Sequence, residues 1–368
     1  MNMGNDSGSV AINPGKSVST SVVNSPGLPP RSMDTLFDNA FETVTGTGTA
    51  FSTLEPEKRT PYLQQWNLNI QHKLPGDTVL EIGYVGSKGT ELMGRLDLNQ
   101  ARLNSPGENL PVQARRPFGQ FQSILQFEGG EVSNYHAMTA SLERRFARGF
   151  SFLTNYTWSK SIDTSSASID DALLHHITEN RRFDRGLSTF DIRHRFVATA
   201  IWDLPFGSGR RFLTGAGWIA SGWQMNSILQ LQTGNPFSIT VAGDQSNTGV
   251  NGTQRPNRTG HGILSNAEKK PERWFDTGAY VLNPVNTFGN AGRNTIFQDG
   301  TKLVDLSIFK NNYFGDGKYN LQFRAEFFNL FNTVNFERPA STVNGANFGV
   351  VTSARAAREI QFALKFVF

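Results

Sequence analysis

The sequence predicts an all-β chain, an antiparallel transmembrane β-barrel, present as about nine or ten strands of a larger barrel. Three observations predict it. Apolar and polar residues alternate with period two in nine segments between Leu63 and Phe368, the mark of strands with unlike faces. The connections between those segments alternate between short and long. The last segment places an apolar residue at every second position and stops on an aromatic, Phe368.

Residues 1–61 are rich in Ser, Thr, Asn, Gly and Pro and read as an irregular or disordered segment, with room for one strand near 43–53. Residues 62–368 read as the C-terminal part of the barrel. The first strand, 63–74, sets Trp66, Leu68, Ile70, His72 and Leu74 against Asn67, Asn69, Gln71 and Lys73, and Pro75-Gly76-Asp77 turns the chain. The second, 78–88, sets Leu80, Ile82 and Tyr84 against Glu81 and Gly83; the third, 133–146, sets Met138, Ala140, Leu142 and Phe146 against Thr139, Ser141 and Glu143. After the Ala147-Arg148-Gly149 turn, the fourth (150–160) opposes Phe150, Phe152, Tyr156 and Trp158 to Ser151, Asn155 and Ser159. The fifth (192–204) carries Phe196, Ala198, Ala200 and Trp202 on one face, and the sixth (222–234) carries Trp223, Met225, Leu229 and Leu231. The seventh (302–312) is the weakest pattern, with Val304, Leu306 and Ile308. The eighth (318–331) is the strongest: Tyr319, Leu321, Phe323, Ala325 and Phe327 face away from Asn320, Gln322, Arg324 and Glu326, after an Asp316-Gly317 turn. The ninth (358–368) sets Ile360, Phe362, Leu364, Phe366 and Phe368 against Glu359, Gln361 and Lys365.

Mean hydropathy is −0.38, and no apolar run reaches the roughly 18 residues of a helical span, so a helical membrane protein is excluded. A tilted strand spans with about 9–11 residues of which every second is apolar, so a barrel stays polar on average. The 29 Phe and 36 Gly suit lipid-facing strands and tight turns. Short connections fall at 75–77, 147–149, 205–221 and 313–317, long ones at 89–132, 161–191, 235–301 and 332–357. A soluble sandwich gives no reason for that alternation, whereas an outer-membrane barrel has short periplasmic turns and long extracellular loops. With the C-terminus periplasmic, nine strands start the first one outside. An exported barrel starts in the periplasm, so the expectation is an incomplete chain; an extra strand near 43–53, giving ten, is the rival.

Little in the chain points to other chemistry. There is no cysteine, which removes disulfides and thiolate metal sites. The net charge of +4 contains no basic block, so no nucleic-acid partner is expected. The opening MNMGNDSGSVAINPGK has no basic and apolar halves of a secretory signal. No GxSxG elbow or GxxxxGK[ST] loop occurs, so no enzyme and no cofactor is expected. His175, His176 and Glu179 lack the HExxH order and are expected on a loop surface. Asp163, Asp170, Asp171 and Asp184 share that loop without EF-hand order. The pairs Arg144-Arg145, Arg181-Arg182 and Arg210-Arg211 are expected as interfacial or solvated charge, with lipopolysaccharide phosphate as the functional alternative. Arg324 and Glu326 are expected to pair across strands, and Asn332 and Asn335 to cap a strand end.

The phrases TPYLQQWNLNIQHKL (60–74), NYTWSKSID (155–163), FDIRHRFVATAIWDLPFG (190–207) and FRAEFFNLFNTVNF (323–336), with the terminal strand, resemble the C-terminal barrel of TonB-dependent receptors, in particular the Oar-like group. The resemblance covers roughly 60–368. It implies an outer-membrane receptor or transporter whose wall and extracellular loops serve uptake of an unidentified ligand. Whole members have a plug and a TonB-contacting segment, for which this sequence shows no equivalent, so TonB contact is expected only through a separate N-terminal part. The terminal strand also resembles the signal read by the barrel-assembly machinery, which maps to Phe362, Leu364, Phe366 and Phe368. The expected surroundings are outer-membrane lipid and lipopolysaccharide. The alternative is a structural or adhesion protein without transport.

Overall fold

A computed structural model describes residues 17–18, 49–57, 59–166, 174–207, 209–215, 217–250 and 254–368. Nine long strands form one antiparallel wall in chain order: β1 (Tyr62–Leu74), β2 (Thr78–Asp97), β3 (Phe121–Ala147), β4 (Phe150–Asp163), β5 (His194–Asp203), β6 (Trp223–Gln232), β7 (Thr301–Phe314), β8 (Tyr319–Phe328) and β9 (Glu359–Val367). Each expected strand is present. Among the described residues β1 pairs only with β2 and β9 only with β8, so the wall is an open sheet with two free edges.

Period-two alternation works because register carries each face across the whole wall. One row runs Ile70, Ile82, Ala140, Tyr156, Phe196, Leu231 through β1 to β6. The adjacent row, pointing the other way, runs Asn69, Gly83, Thr139, Thr157, Arg195, Gln232 and reaches Thr301 of β7. The apolar face is exposed, with Leu68 64% and Ile70 65% accessible. A soluble sheet would bury such a face; a wall that meets lipid leaves it open. The tight turns sit at one end. Between β3 and β4, Arg148 (φ 54°) and Gly149 (φ 80°) form a two-residue turn with both centres left-handed, whose twist matches the strands it joins. By length of connection, this end is periplasmic.

At the other end β2 and β3 overshoot the expected limits, reaching 20 and 27 residues. Their ladder slips between Gly89 and Gly94, where Glu91 takes a φ of 54°. Beyond this bulge the two strands continue as a ribbon outside the span a membrane needs. Thr49–Leu54 lies in the stretch where a tenth strand was expected. It pairs parallel with the Phe121–Phe127 part of the ribbon, so it does not extend the wall. The remainder of residues 1–48 lies outside the described residues, apart from Ser17–Val18.

The long connections fold together rather than trailing. Phe237, Ile239, Trp274, Phe275, Tyr280 and Ile296 form an apolar cluster, with Val351, Phe336 and Phe348 packed in from the last connection. Two short ladders, Pro236–Phe237 with Ile296–Phe297 and Asn257–Arg258 with Tyr280–Val281, hold the segment 233–300 in shape. The result is a cap with its own core on the extracellular end of the wall.

Candidate functional site

Beneath the cap lies a buried charge cluster that joins the β3 ribbon to two connections. His175 is 4% exposed; its Nδ1 lies 2.8 Å from Asp184 Oδ2 and its Nε2 2.7 Å from Glu131 Oε1. Glu131 comes from the β3 ribbon, and Asp184 from a short 3-10 turn, Arg181–Asp184. Arg255, from the 233–300 connection, donates through Nη1 to Asp184 and through Nε to Ala291 O at 2.8 Å, with its guanidinium over Phe183 at 4.6 Å. Arg293 donates to Asp163 at the top of β4 and to Asp184 O at 2.6 Å. Burial opposes the charged imidazolium, but the hydrogen bonds to Asp184 and Glu131 outweigh it and hold the His175 pKa up at about 9. Burial likewise opposes the Asp184 carboxylate, and His175 and Arg255 override it, keeping its pKa down at about 2. Each charge here has a counter-charge, and the cluster fastens the segments that supply its members to one another.

These facts correct the expectation of a loop surface at His175 and His176: both are buried, and His176 stacks on Phe183 and meets Phe288 at a tilt. Glu179 stays exposed, beside a cavity of about 510 Å³. Ala101, Leu103, Pro117, Ile177 and Phe288 give that cavity apolar walls. Gln100 links two of its sides, donating to His176 O at 3.1 Å and accepting from Thr178 N at 2.8 Å. Asp163 and Asp184 are engaged by arginines; Asp170 and Asp171 lie outside the described residues. No cluster of three metal-ligating residues occurs among the described residues.

The paired arginines separate. Arg144 and Arg145 stand at the periplasmic end of β3, with Arg144 over Phe150 at 5.6 Å, and Arg210 and Arg211 lie in the β5–β6 turn. Both pairs therefore stand at the tight-turn end of the wall. Arg181 is paired with Glu128 and donates to Gly129 O at 3.2 Å. Arg324 and Glu326 do not pair, contrary to expectation: Arg324 Nε donates to Gln322 Oε1 at 2.6 Å and its guanidinium lies over Phe309 at 4.6 Å. Asn335 bridges to the start of β7, accepting from Lys302 N at 2.7 Å, and Asn332 accepts from Arg358 N at 3.0 Å.

Phe362, Leu364 and Phe366 of β9 share the outward face, and with Phe368 just beyond the strand they are all more than half exposed. Phe362 stacks on Phe323 at 6.2 Å, and Phe366 on Tyr319 at 5.9 Å and on Phe314 at 6.1 Å. Sequence reading found this strand but missed Glu131, Arg255 and Arg293. Their signal is the apolar content of that long connection, Trp274-Phe275 with Phe237, Ile239 and Tyr280, which marks a loop with a core of its own.

No curated protein matches the chain. Among solved structures it is similar to the outer membrane transporter YddB from Escherichia coli, with 12% identity and a TM-score of 0.47, over 88% of this chain and 34% of that one. It is also similar to BauA, the ferric preacinetobactin receptor from Acinetobacter baumannii (12% identity, TM-score 0.39, 82% of this chain and 29% of that one). A third is the FrpB iron transporter from Neisseria meningitidis (10% identity, TM-score 0.40, 86% and 32%). The chain thus spans only about a third of the length of each of those chains. The model of the outer membrane beta barrel domain family matches residues 1–361. The antiparallel wall with its apolar outer face accords with that match, and the chain belongs to the outer membrane beta barrel domain family.

Proposed function

We propose that the chain supplies wall strands and extracellular ligand loops to a TonB-dependent, Oar-like receptor of the outer membrane. The observation that carries this reading is the folded cap: an adhesive or purely structural barrel needs no connections packed on a common core around a cavity, whereas a receptor needs a shaped surface. Contact with TonB runs through a plug-bearing N-terminal part of the receptor, and outer-membrane lipid surrounds the apolar face. Phe362, Leu364, Phe366 and Phe368 present one aromatic face to the barrel-assembly machinery before lipid covers it. The test uses the full gene: pulldown with TonB together with ligand uptake by cells. Capture by TonB and uptake that falls when the cap is deleted support the receptor. Surface adhesion without uptake or TonB capture supports the structural alternative. For the terminal strand, deleting Phe368 should lower outer-membrane insertion several-fold; unchanged insertion removes the assembly role.

A further inference from the structure

The outward face of β2–β4 at its extracellular rim concentrates cations with no carboxylate among them. Register places His136 of β3 opposite Lys160 of β4 and, through Gly86 of β2, in line with Trp66 of β1. Lys88 of β2 pairs with Asn134, one step nearer the outside, and stands diagonal to His136. Directly opposed residues lie about 5 Å apart and diagonal ones about 7–8 Å, so the three side chains share one small patch. The bulge at Gly89–Gly94 begins just above it, which fixes the patch at the level where the wall leaves the membrane.

His136 is clamped. Tyr84 Oη lies 2.8 Å from its Nδ1, the tyrosine ring stacks on it with centroids 6.2 Å apart, and the Trp66 indole flanks it at 6.1 Å. The indole fits because Gly86 has no side chain: a Cβ there would stand 2.3 Å from Trp66 Nε1. Among the described residues nothing bonds His136 Nε2, and neither lysine pairs with a carboxylate. All three side chains are exposed. The outward neighbours are Gln64, Asn134, Trp158 and Ile162, none acidic. An ordinary interfacial belt needs aromatics and isolated snorkelling lysines. Two unpaired lysines around an imidazole held by a tyrosine and a tryptophan form a directed anion site instead.

We propose that Lys88, His136 and Lys160 bind the phosphate of an outer-leaflet phosphorylated glycolipid, the lipid A headgroup. The proposal deepens the lipid contact in the functional reading and rests on the orientation of the wall, not on transport. The full chain in mild detergent is incubated with bis-phosphorylated lipid A or with the same glycolipid stripped of phosphate, and bound lipid is counted by native mass spectrometry. Wild type prefers the phosphorylated form. The Lys88→Gln/Lys160→Gln variant loses about thirty-fold of that preference, taking each cation near a charged membrane surface at its usual worth. Lys88→Arg/Lys160→Arg keeps it, and so does Arg195→Gln, which removes a cation from the opposite face of the wall. Equal binding of both lipids by wild type, an unchanged preference in the double glutamine variant, or an equal loss in Arg195→Gln overturns the site. Protease protection in vesicles is read on every variant: loss of insertion there indicts the wall reading, whereas normal insertion with altered lipid preference isolates the phosphate site.

Discussion

Replacing His175 with alanine removes a group that bridges Glu131 and Asp184. The folded pKa of His175 is about 9 against an ordinary 6.5. A group raised in this way contributes its stability fully below pH 6.5 and loses it as pH rises through about 9. The difference corresponds to about 3 kcal/mol at low pH. The variant also leaves Glu131 buried without a counter-charge, a change of the kind that costs about 3–5 kcal/mol. The two figures describe one interaction and do not add. Hydrogen exchange at pH 6 should therefore speed up by about a hundredfold in residues 174–187, while the wall ladders keep their protection. In wild type, limited proteolysis of the cap should rise as pH passes about 9, and the variant should show no such transition. His261→Ala, which removes an exposed histidine of the same cap, should leave both readouts alone. Unchanged exchange in His175→Ala, or an alkaline transition that survives it, would refute the fastener.

Two further outcomes follow from single positions. Arg293→Ala leaves Asp163 buried and uncompensated where β4 meets the cap, so cap protection should fall by about 3–5 kcal/mol while β1 and β2 stay protected; hydrogen exchange by segment reads this. Gly149→Val forces a β-branched residue to a φ of 80° and places its Cβ 3.3 Å from Asp203 Cβ, so the β3–β4 hairpin should lose about 1–2 kcal/mol, measured as a lower midpoint in urea-driven unfolding from detergent.

The wall was legible because one face must satisfy lipid along its whole height, which writes period two into the sequence. Where that demand lapses, so does the signal. β7 read weakly because Lys302 and Lys310 occupy outward positions: Lys310 falls in the row Trp223, Lys310, Phe323, Leu364, with its ammonium turned to Trp218 O at 2.8 Å and above the rings of Trp218 and Trp223. The ribbon ends of β2 and β3 escaped notice because both of their faces meet protein or water, so no alternation is imposed there. The cap was illegible for a different reason. Its core draws Phe237, Trp274 and Val351 from distant points of connections whose apolar residues follow no period, and the Asp184–Arg255 pair joins residues 71 positions apart. Burial of His175 could not be read from a sequence that separates it from Glu131 by 44 residues. The patch at Lys88, His136 and Lys160 is likewise a product of register: the alternation put each residue on the outward face, but only strand pairing brings them together.

Because the chain contains no cysteine, single cysteines report position without background. The most direct test of the wall is a scan of alternate positions in membranes, using a water-soluble and a lipid-soluble maleimide. Ile82, Ala140 and Leu229 should label from lipid, and Glu81, Thr139 and Gln230, their neighbours on the opposite face, from water. Equal labelling of both sets by the aqueous reagent would contradict a membrane-spanning wall.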